Sequence, residues 1–370
     1  MFHSALERVI HDVVTPSALA VDREGRFPSE AVTALGAAGI LGLTVATEHG
    51  GVGKGLAEAA QVVERLARAC GSTAMVACMH YSGVAVLNAT APASVLREVA
   101  AGRHLSTLAF SEQGSRSHFW APLSSARNDG GNVILDAEKS WITSASHATA
   151  YVWSSRPLGG EGASTLWLVP RDAPGLSVRG PFDGLGLRGN DASPVRAQGV
   201  CVPGSARLGD DGKGFDLMMG VVLPTFNVLN AAASVGHCEA AVSATATHAT
   251  ATRHEEAGTS LADLPTIRAN IARMRSRTDM AATLLGDTLA AMAVGRPDTM
   301  LRVLEVKAVA SEAAIDVTML AMRTCGGAAY RKEGGVERHF RDAQAASVMG
   351  PTTDVLYDFI GKATCGLPLF

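Results

Sequence analysis

Charged side chains make up only 18% of the 370-residue chain, and its 32 basic residues form no run or patch. Nucleic acid is thereby excluded as an expected partner, because such binding rests on clustered positive charge. The six cysteines (Cys70, Cys78, Cys201, Cys238, Cys325 and Cys365) lie far apart, with no CxxC pair and no Cys/His cluster at metal-ligand spacing. No metal site is expected, and each thiol reads as a reduced core residue. No stretch of about 18 apolar residues occurs, because His, Ser, Thr and Arg interrupt the Ala-rich runs, so no membrane span is expected. Residues 1–13 space Leu6, Val9, Ile10 and Val13 at helical intervals among charges, the pattern of an amphipathic helix rather than an export segment. A soluble, cytoplasmic protein is the expectation.

The length suits two or three packed domains, and the patterning divides the chain in three. Residues 1–103 read as an α-helical domain, with segments from Pro28, over 56–69, over 73–88 and over 93–101, the first, second and fourth stopped by glycine. Residues 104–210 read as a β domain, a small barrel or sandwich. Its β-rich runs are 104–110, 132–136, 150–154, 165–169 and 195–202, separated by breakers such as Asp129-Gly130-Gly131. Residues 211–370 turn helical again, with long segments over 217–253, 265–294, 297–325 and 336–347. The third of these, at 1.5 Å per residue, is about 43 Å long, the length of a bundle helix. The fold class is α+β and multidomain: an N-terminal helical domain, a central β domain and a C-terminal four-helix bundle.

Four motifs carry chemistry or its scaffold. Phe27-Pro28-Ser29-Glu30 leads through Gly39-Ile40-Leu41-Gly42-Leu43 to Glu48-His49-Gly50-Gly51-Val52-Gly53. Ala109-Phe110-Ser111-Glu112-Gln113-Gly114-Ser115-Arg116-Ser117 is a strand entering a Gly/Ser loop, whose free N–H groups suit a ring edge or a phosphate. Lys139-Ser140-Trp141-Ile142-Thr143-Ser144 offers an indole plane and a hydroxyl donor. Gly184-Leu185-Gly186-Leu187-Arg188-Gly189 runs on to Val202-Pro203 and to Gly212 through Phe215. In this order the motifs resemble the acyl-CoA dehydrogenase superfamily over essentially the whole chain.

The resemblance implies an FAD-dependent oxidoreductase acting on an acyl thioester, carried by CoA or by an acyl carrier protein. It places Phe110, Ser111, Ser117, Trp141, Ile142, Thr143 and Thr352 at the flavin, and Ser117 and Asn227 at the substrate. Arg253 falls on the family's "RxxFG" arginine, and Arg323-Thr324-Cys325-Gly326-Gly327 on its "QxxGG" turn. In the family both reach the FAD of a neighbouring subunit, which implies a homodimer or homotetramer. Glycines there let backbone approach a diphosphate, and Arg323 in place of Gln still offers donors.

The family's catalytic carboxylate commonly lies in "RDAxxxxIYEGT". Here the run is Arg341-Asp342-Ala343-Gln344-Ala345-Ala346-Ser347-Val348-Met349-Gly350-Pro351-Thr352-Thr353, so its place falls on Met349. The alternative acid position, on the first bundle helix, falls on Phe226. Neither side chain accepts a proton at neutral pH. Three readings stay open. Another residue is the base, with Asp354, His80 and His118 as candidates; or the chain is a flavin-dependent hydroxylase (monooxygenase) on the same fold; or it performs base-free chemistry or serves as a non-catalytic flavin- or CoA-binding partner subunit.

Overall fold

The structure is a computed structural model that describes residues 2–115, 118–333 and 335–369. The chain opens with α1 (Phe2–Val9), a π-helical turn (Ile10–Val14) and α2 (Thr15–Glu24), followed by α3 (Ser29–Ala37), α4 (Leu56–Ala69), α5 (Gly71–Thr90) and α6 (Ala93–Ala100). Eight strands come next: β1 (Ser106–Ala109), β2 (Ser125–Asp129), β3 (Asn132–Ile142), β4 (Ala150–Ser155), β5 (Thr165–Pro170), β6 (Leu176–Val178), β7 (Ser193–Pro203) and β8 (Arg207–Leu208). Helix α7 (Gly214–Leu217) passes through a π-helical turn (Met218–Val222) into α8 (Leu223–Ala251). A two-stranded hairpin of β9 (Arg253–His254) and β10 (Thr259–Ser260) precedes α9 (Pro265–Val294), α10 (Thr299–Cys325), α11 (Val336–Val348) and α12 (Thr353–Thr364).

These elements form two compact units. One comprises Met1–Ala59, Met75–Gly184 and Arg188–Phe226; the other comprises Ala60–Ala74, Leu185–Leu187 and Asn227–Phe370.

In the first unit, β1-β4-β5-β8 form one sheet, with β1 parallel to β4, and β2-β3-β7-β6 form an antiparallel second. Both sheets feed one core, which includes Val133, Leu135, Tyr151, Trp153, Trp167, Val169, Val195 and Val202. Trp153 and Trp167 face each other across β4 and β5 and are fully buried. At about 200 Å² of apolar surface each, they contribute about 5 kcal/mol apiece of gross burial. Helix α5 is tied to the preceding loop by Tyr81 Oη donating to Ile40 O (2.6 Å) and by the His80 ring to Leu41 O (2.9 Å).

In the second unit, α8, α9, α10 and α11 share a core of Cys238, Ala241, Met274, Ala314, Val317, Ala321, Val336 and Ala343. Helix α4 belongs here by its C-terminal half. A Cβ on Gly236 would run into Glu64 O and Ala67 Cβ, so only glycine lets α8 lie this close to α4. The stretch Gly214–Ala251 is long and apolar enough to cross a membrane, but 72% of its most apolar window is buried inside the protein, as in a core helix.

Three features differ from the sequence expectation. The bundle gains a fifth helix, α12, whose start is marked only by the Thr352 cap. Strands β2, β6 and β8 were not foreseen, being short or exposed and so lacking a clear period-two pattern. Helix α8 stops at Ala251 instead of running through Arg253, because the chain turns into the β9–β10 hairpin, with Gly258 left-handed at φ +66°.

Candidate active site

Strand β3 ends on the third motif, and the second motif lies beside it. Ser140 N donates to Ser111 O (2.9 Å), and Thr107 Oγ1 donates to Thr143 O (2.8 Å). A buried ion pair locks the two segments together: Lys139 Nζ lies 2.5 Å from Glu112 Oε1 and also donates to Ser154 O (2.8 Å) and Ser154 Oγ (2.9 Å). The other Glu112 oxygen accepts the N–H groups of Leu123 and Ser124. Burial works to raise the Glu112 pKa, but the Lys139 charge and these donors outweigh it and hold the carboxyl below its usual range. Burial pushes Lys139 down to about 8, so the ammonium still carries its charge at pH 7.

On this anchored edge Trp141 projects outward. Trp141 is 71% exposed, its backbone is left-handed at φ +58°, and its ring meets Phe182 edge-on at 6.5 Å. A bulky residue at positive φ is strained, and a large exposed indole forgoes burial, a combination typical of a binding position. Thr143 is buried, and its hydroxyl makes no hydrogen bond among the described residues. Ser111 is half-buried, and Phe110 is buried and stacked on Phe119. Ile142 packs into the β core, so whatever it offers a ligand is a backbone group. Ser117, expected at both flavin and substrate, lies outside the described residues.

In the second unit, Arg323 is exposed in the last turn of α10, and the exposed Gly326 and Gly327 follow it. Gly326 is left-handed at φ +57°, and a Cβ built on either glycine would meet nothing within 4 Å, an open approach for a ligand. Arg253 is exposed on β9. The Thr352 hydroxyl accepts Val355 N (3.4 Å) as the N-cap of α12.

The position that the resemblance implies for the base lies among α8, α10 and the turn after α11. Met349 is half-buried, and its Sδ accepts Asn230 Nδ2 at 3.5 Å. Its carbonyl, with those of Ala346 and Pro351, accepts the buried Lys307 Nζ of α10 at 3.1, 2.9 and 2.7 Å. Asn227 is fully buried, and its Nδ2 donates to Val303 O (2.9 Å). Phe226 is buried.

The three candidate bases lie in different surroundings. His80 has both ring nitrogens committed: Nδ1 accepts Ser106 N (3.1 Å) and Nε2 meets Leu41 O, while burial pushes it down to about 4. These two bonds tie α5 to β1 and to the loop that carries Leu41. His118 is exposed and stacked on Trp120, and Asp354 is exposed in the first turn of α12. Among the described residues no group of three or more His, Cys, Asp or Glu could hold a metal. A cleft of about 270 Å³ lined by Thr44, Lys54, Leu56, Tyr81, Asn88 and Thr225 contains none of the expected site residues.

Three domain models of one family match the chain in order: the acyl-CoA dehydrogenase N-terminal domain over residues 1–95, the middle domain over 107–200 and the C-terminal domain over 212–365. The chain belongs to the acyl-CoA dehydrogenase family. This family member is 30% identical over 348 residues to the mitochondrial short-chain specific acyl-CoA dehydrogenase of Bos taurus, with 92% of this chain and 83% of the relative covered. It shares the fold of butyryl-CoA dehydrogenase from Megasphaera elsdenii (TM-score 0.91, 22% identity, 98% of each chain covered). The prolyl acyl carrier protein oxidase AnaB is also similar in fold (TM-score 0.88, 19% identity, 98% of each chain covered). As an acyl-CoA dehydrogenase-like flavoprotein, the chain is an oxidoreductase.

Sequence reasoning missed Glu112, Asn230 and Lys307. Lys139 has the same strand parity as the inward-facing Val133 and Leu135, which announces a buried amine needing a carboxylate partner. Asn230 is signalled by a 3-4-3 spacing of polar residues inside an apolar helix, Asn227, Asn230, Ser234 and His237.

Proposed function

We propose that the chain binds FAD and oxidises an acyl group presented as a thioester of CoA or of a carrier protein, with no carboxylate at position 349. The observation that carries this reading is Trp141, an exposed indole in a left-handed conformation on an edge anchored by the Glu112–Lys139 pair. An exposed aromatic plane beside an uncommitted Thr143 hydroxyl fits a flavin ring, which stacks on the one and accepts a hydrogen bond from the other. Arg253, Arg323 and the open Gly326–Gly327 turn fit a diphosphate, through guanidinium donors and close backbone approach. FAD, when bound, supplies the acceptor for the hydride.

The protein's own contribution is to hold and desolvate the ligand. Trp141 covers a ring face, Thr143 donates a hydroxyl proton, and Lys307 fixes the turn that carries Met349. The Met349 thioether cannot remove an α-proton at neutral pH. The reading therefore favours oxidation in which the departing proton leaves to solvent or from a substrate heteroatom. A homodimer or dimer of dimers is part of the proposal, supported by exposed Met280, Val294, Met319 and Tyr330.

Visible absorption and anaerobic mixing test the reading. The purified protein should carry yellow flavin, and a panel of acyl-CoAs and acyl-pantetheines should bleach it in the absence of oxygen. A colourless protein that consumes oxygen only when supplied with reduced flavin would establish the hydroxylase alternative. Flavin that no thioester bleaches, with no oxygen consumed, would indicate a binding subunit. A monodisperse monomer with full FAD occupancy would overturn the oligomer.

A further inference from the structure

Helix α8 carries a polar stripe where a bundle helix is ordinarily apolar. Asn227, Asn230, Ser234 and His237 follow a 3-4-3 spacing and are all more than nine-tenths buried. That spacing defines one face of a helix, and here the face is turned on Val303 of α10 and on Met349. On α10, Val303, Lys307 and Ser311 likewise repeat every fourth residue.

The stripe is not satisfied internally. Asn227 Oδ1, Asn230 Oδ1, Ser234 Oγ and Ser311 Oγ are all buried without a hydrogen-bond partner among the described residues. Each amide uses its nitrogen, on Val303 O or on Met349 Sδ, and leaves its oxygen unpaired. Leaving a buried acceptor unpaired is costly, and an apolar side chain of similar shape would remove that cost. The two amide oxygens, one turn apart on α8, can only accept and therefore point to something that supplies donors.

On the reading that position 349 faces the acyl group, we infer that Asn227 and Asn230 select an acyl substituent bearing a hydrogen-bond donor, a hydroxyl or an ammonium group, close to the thioester. A carboxylate substituent does not fit, because the nearby cation, Lys307, already holds three carbonyls. A plain alkyl chain does not fit either, because it would bury two amide oxygens against hydrocarbon. The Met349 thioether completes this wall as a weak acceptor with no charge.

The experiment measures binding to the flavin-loaded protein of four matched CoA thioesters: butyryl, 2-hydroxybutyryl, 3-hydroxybutyryl and 2-aminobutyryl. At least one donor-bearing thioester should bind about tenfold or more tighter than butyryl, as expected when a buried acceptor gains its partner. The 2-amino arm separates ammonium from hydroxyl. Asn230→Leu and Asn227→Leu, tested singly, should each shrink or reverse that preference while raising the stability of the ligand-free protein. Butyryl binding tightest in the unaltered protein, with the preference unmoved by either substitution, would overturn the inference and assign the stripe to internal water. Binding of none of the thioesters would instead overturn the function proposed above, and this inference with it. The wild-type comparison stands even where a substituted chain fails to fold.

Discussion

Substituting Lys139→Met tests whether the edge that carries Trp141 rests on the buried Glu112–Lys139 pair. The Lys139 side chain is fully buried and that of Glu112 nearly so, and the amine makes three close contacts, to Glu112 Oε1, Ser154 O and Ser154 Oγ. Methionine matches the stem but leaves the Glu112 carboxylate buried without a cation. Breaking a buried pair from one side costs about 3–5 kcal/mol. Replacing Glu112 by Gln in the same chain removes the stranded charge yet keeps an acceptor for Leu123 N and Ser124 N, so Lys139→Met/Glu112→Gln should recover at least half of the loss. All four tryptophans (Trp120, Trp141, Trp153 and Trp167) lie within the β region, so urea unfolding followed by tryptophan fluorescence reports on it directly. In the single variant the stranded carboxylate gains a raised folded pKa, so the folded state binds the extra proton first. The deficit should therefore shrink as pH falls from 7 towards 5. A loss under about 1 kcal/mol, or a double variant no better than the single one, would refute the reasoning.

Trp141→Gly should leave the ligand-free protein as stable or about 1 kcal/mol more stable, since it relieves a left-handed φ of +58°, while flavin retention on gel filtration falls; unchanged flavin occupancy would remove the indole from the site. Burial pushes His80, His104 and His237 down to about 4, so between pH 6.5 and about 4 the unfolded chain binds protons that the folded chain refuses. Their contribution is complete above 6.5 and is lost on acidification, by up to about 1.4 kcal/mol per pH unit for each, and urea midpoints equal at pH 6.5 and 5 would contradict this. Met349→Glu puts a carboxylate within reach of Asn230 Nδ2 and should create or raise anaerobic flavin bleaching by acyl-CoA; no change would mean that the substrate does not present its α-carbon there.

How legible each part was in the sequence follows from how local its signal is. Helix α4 matches its expected range of 56–69 and α9 its expected range of 265–294, because glycine, proline and periodicity bound them within the segment. Strand β3 runs to Ile142, six residues past the expected end at 136, because its second half alternates polar residues whose partners lie on β7. Trp141, Thr143, Arg323 and Gly326–Gly327 were nameable from motifs, yet the left-handed backbone that turns Trp141 outward is a tertiary property. Lys307 could not be assigned at all: its role depends on carbonyls 39 to 44 residues away. The approach of α4 to α8 at Gly236 spans more than 160 residues of chain, so no local signal announces it.

Lys307 explains how the turn can keep its shape with methionine at the position where the family resemblance implies a carboxylate. The amine holds three backbone carbonyls on the turn from Ala346 to Pro351, so these bonds do not depend on which side chain stands at 349. A substitution at 349 therefore changes chemistry without releasing the loop. The replacement is matched by its surroundings: a thioether accepts the Asn230 amide, which a carboxylate would also have accepted, but more strongly and with a charge. Asn227 and Asn230 are neutral as well, so the contacts described around Met349 hold no side chain that titrates apart from Lys307, which is occupied. A wall of unpaired amide oxygens beside a thioether recognises a donor and abstracts nothing. On the proposed function, selectivity at this site resides in α8, and the proton removed during oxidation leaves by a route that position 349 does not provide.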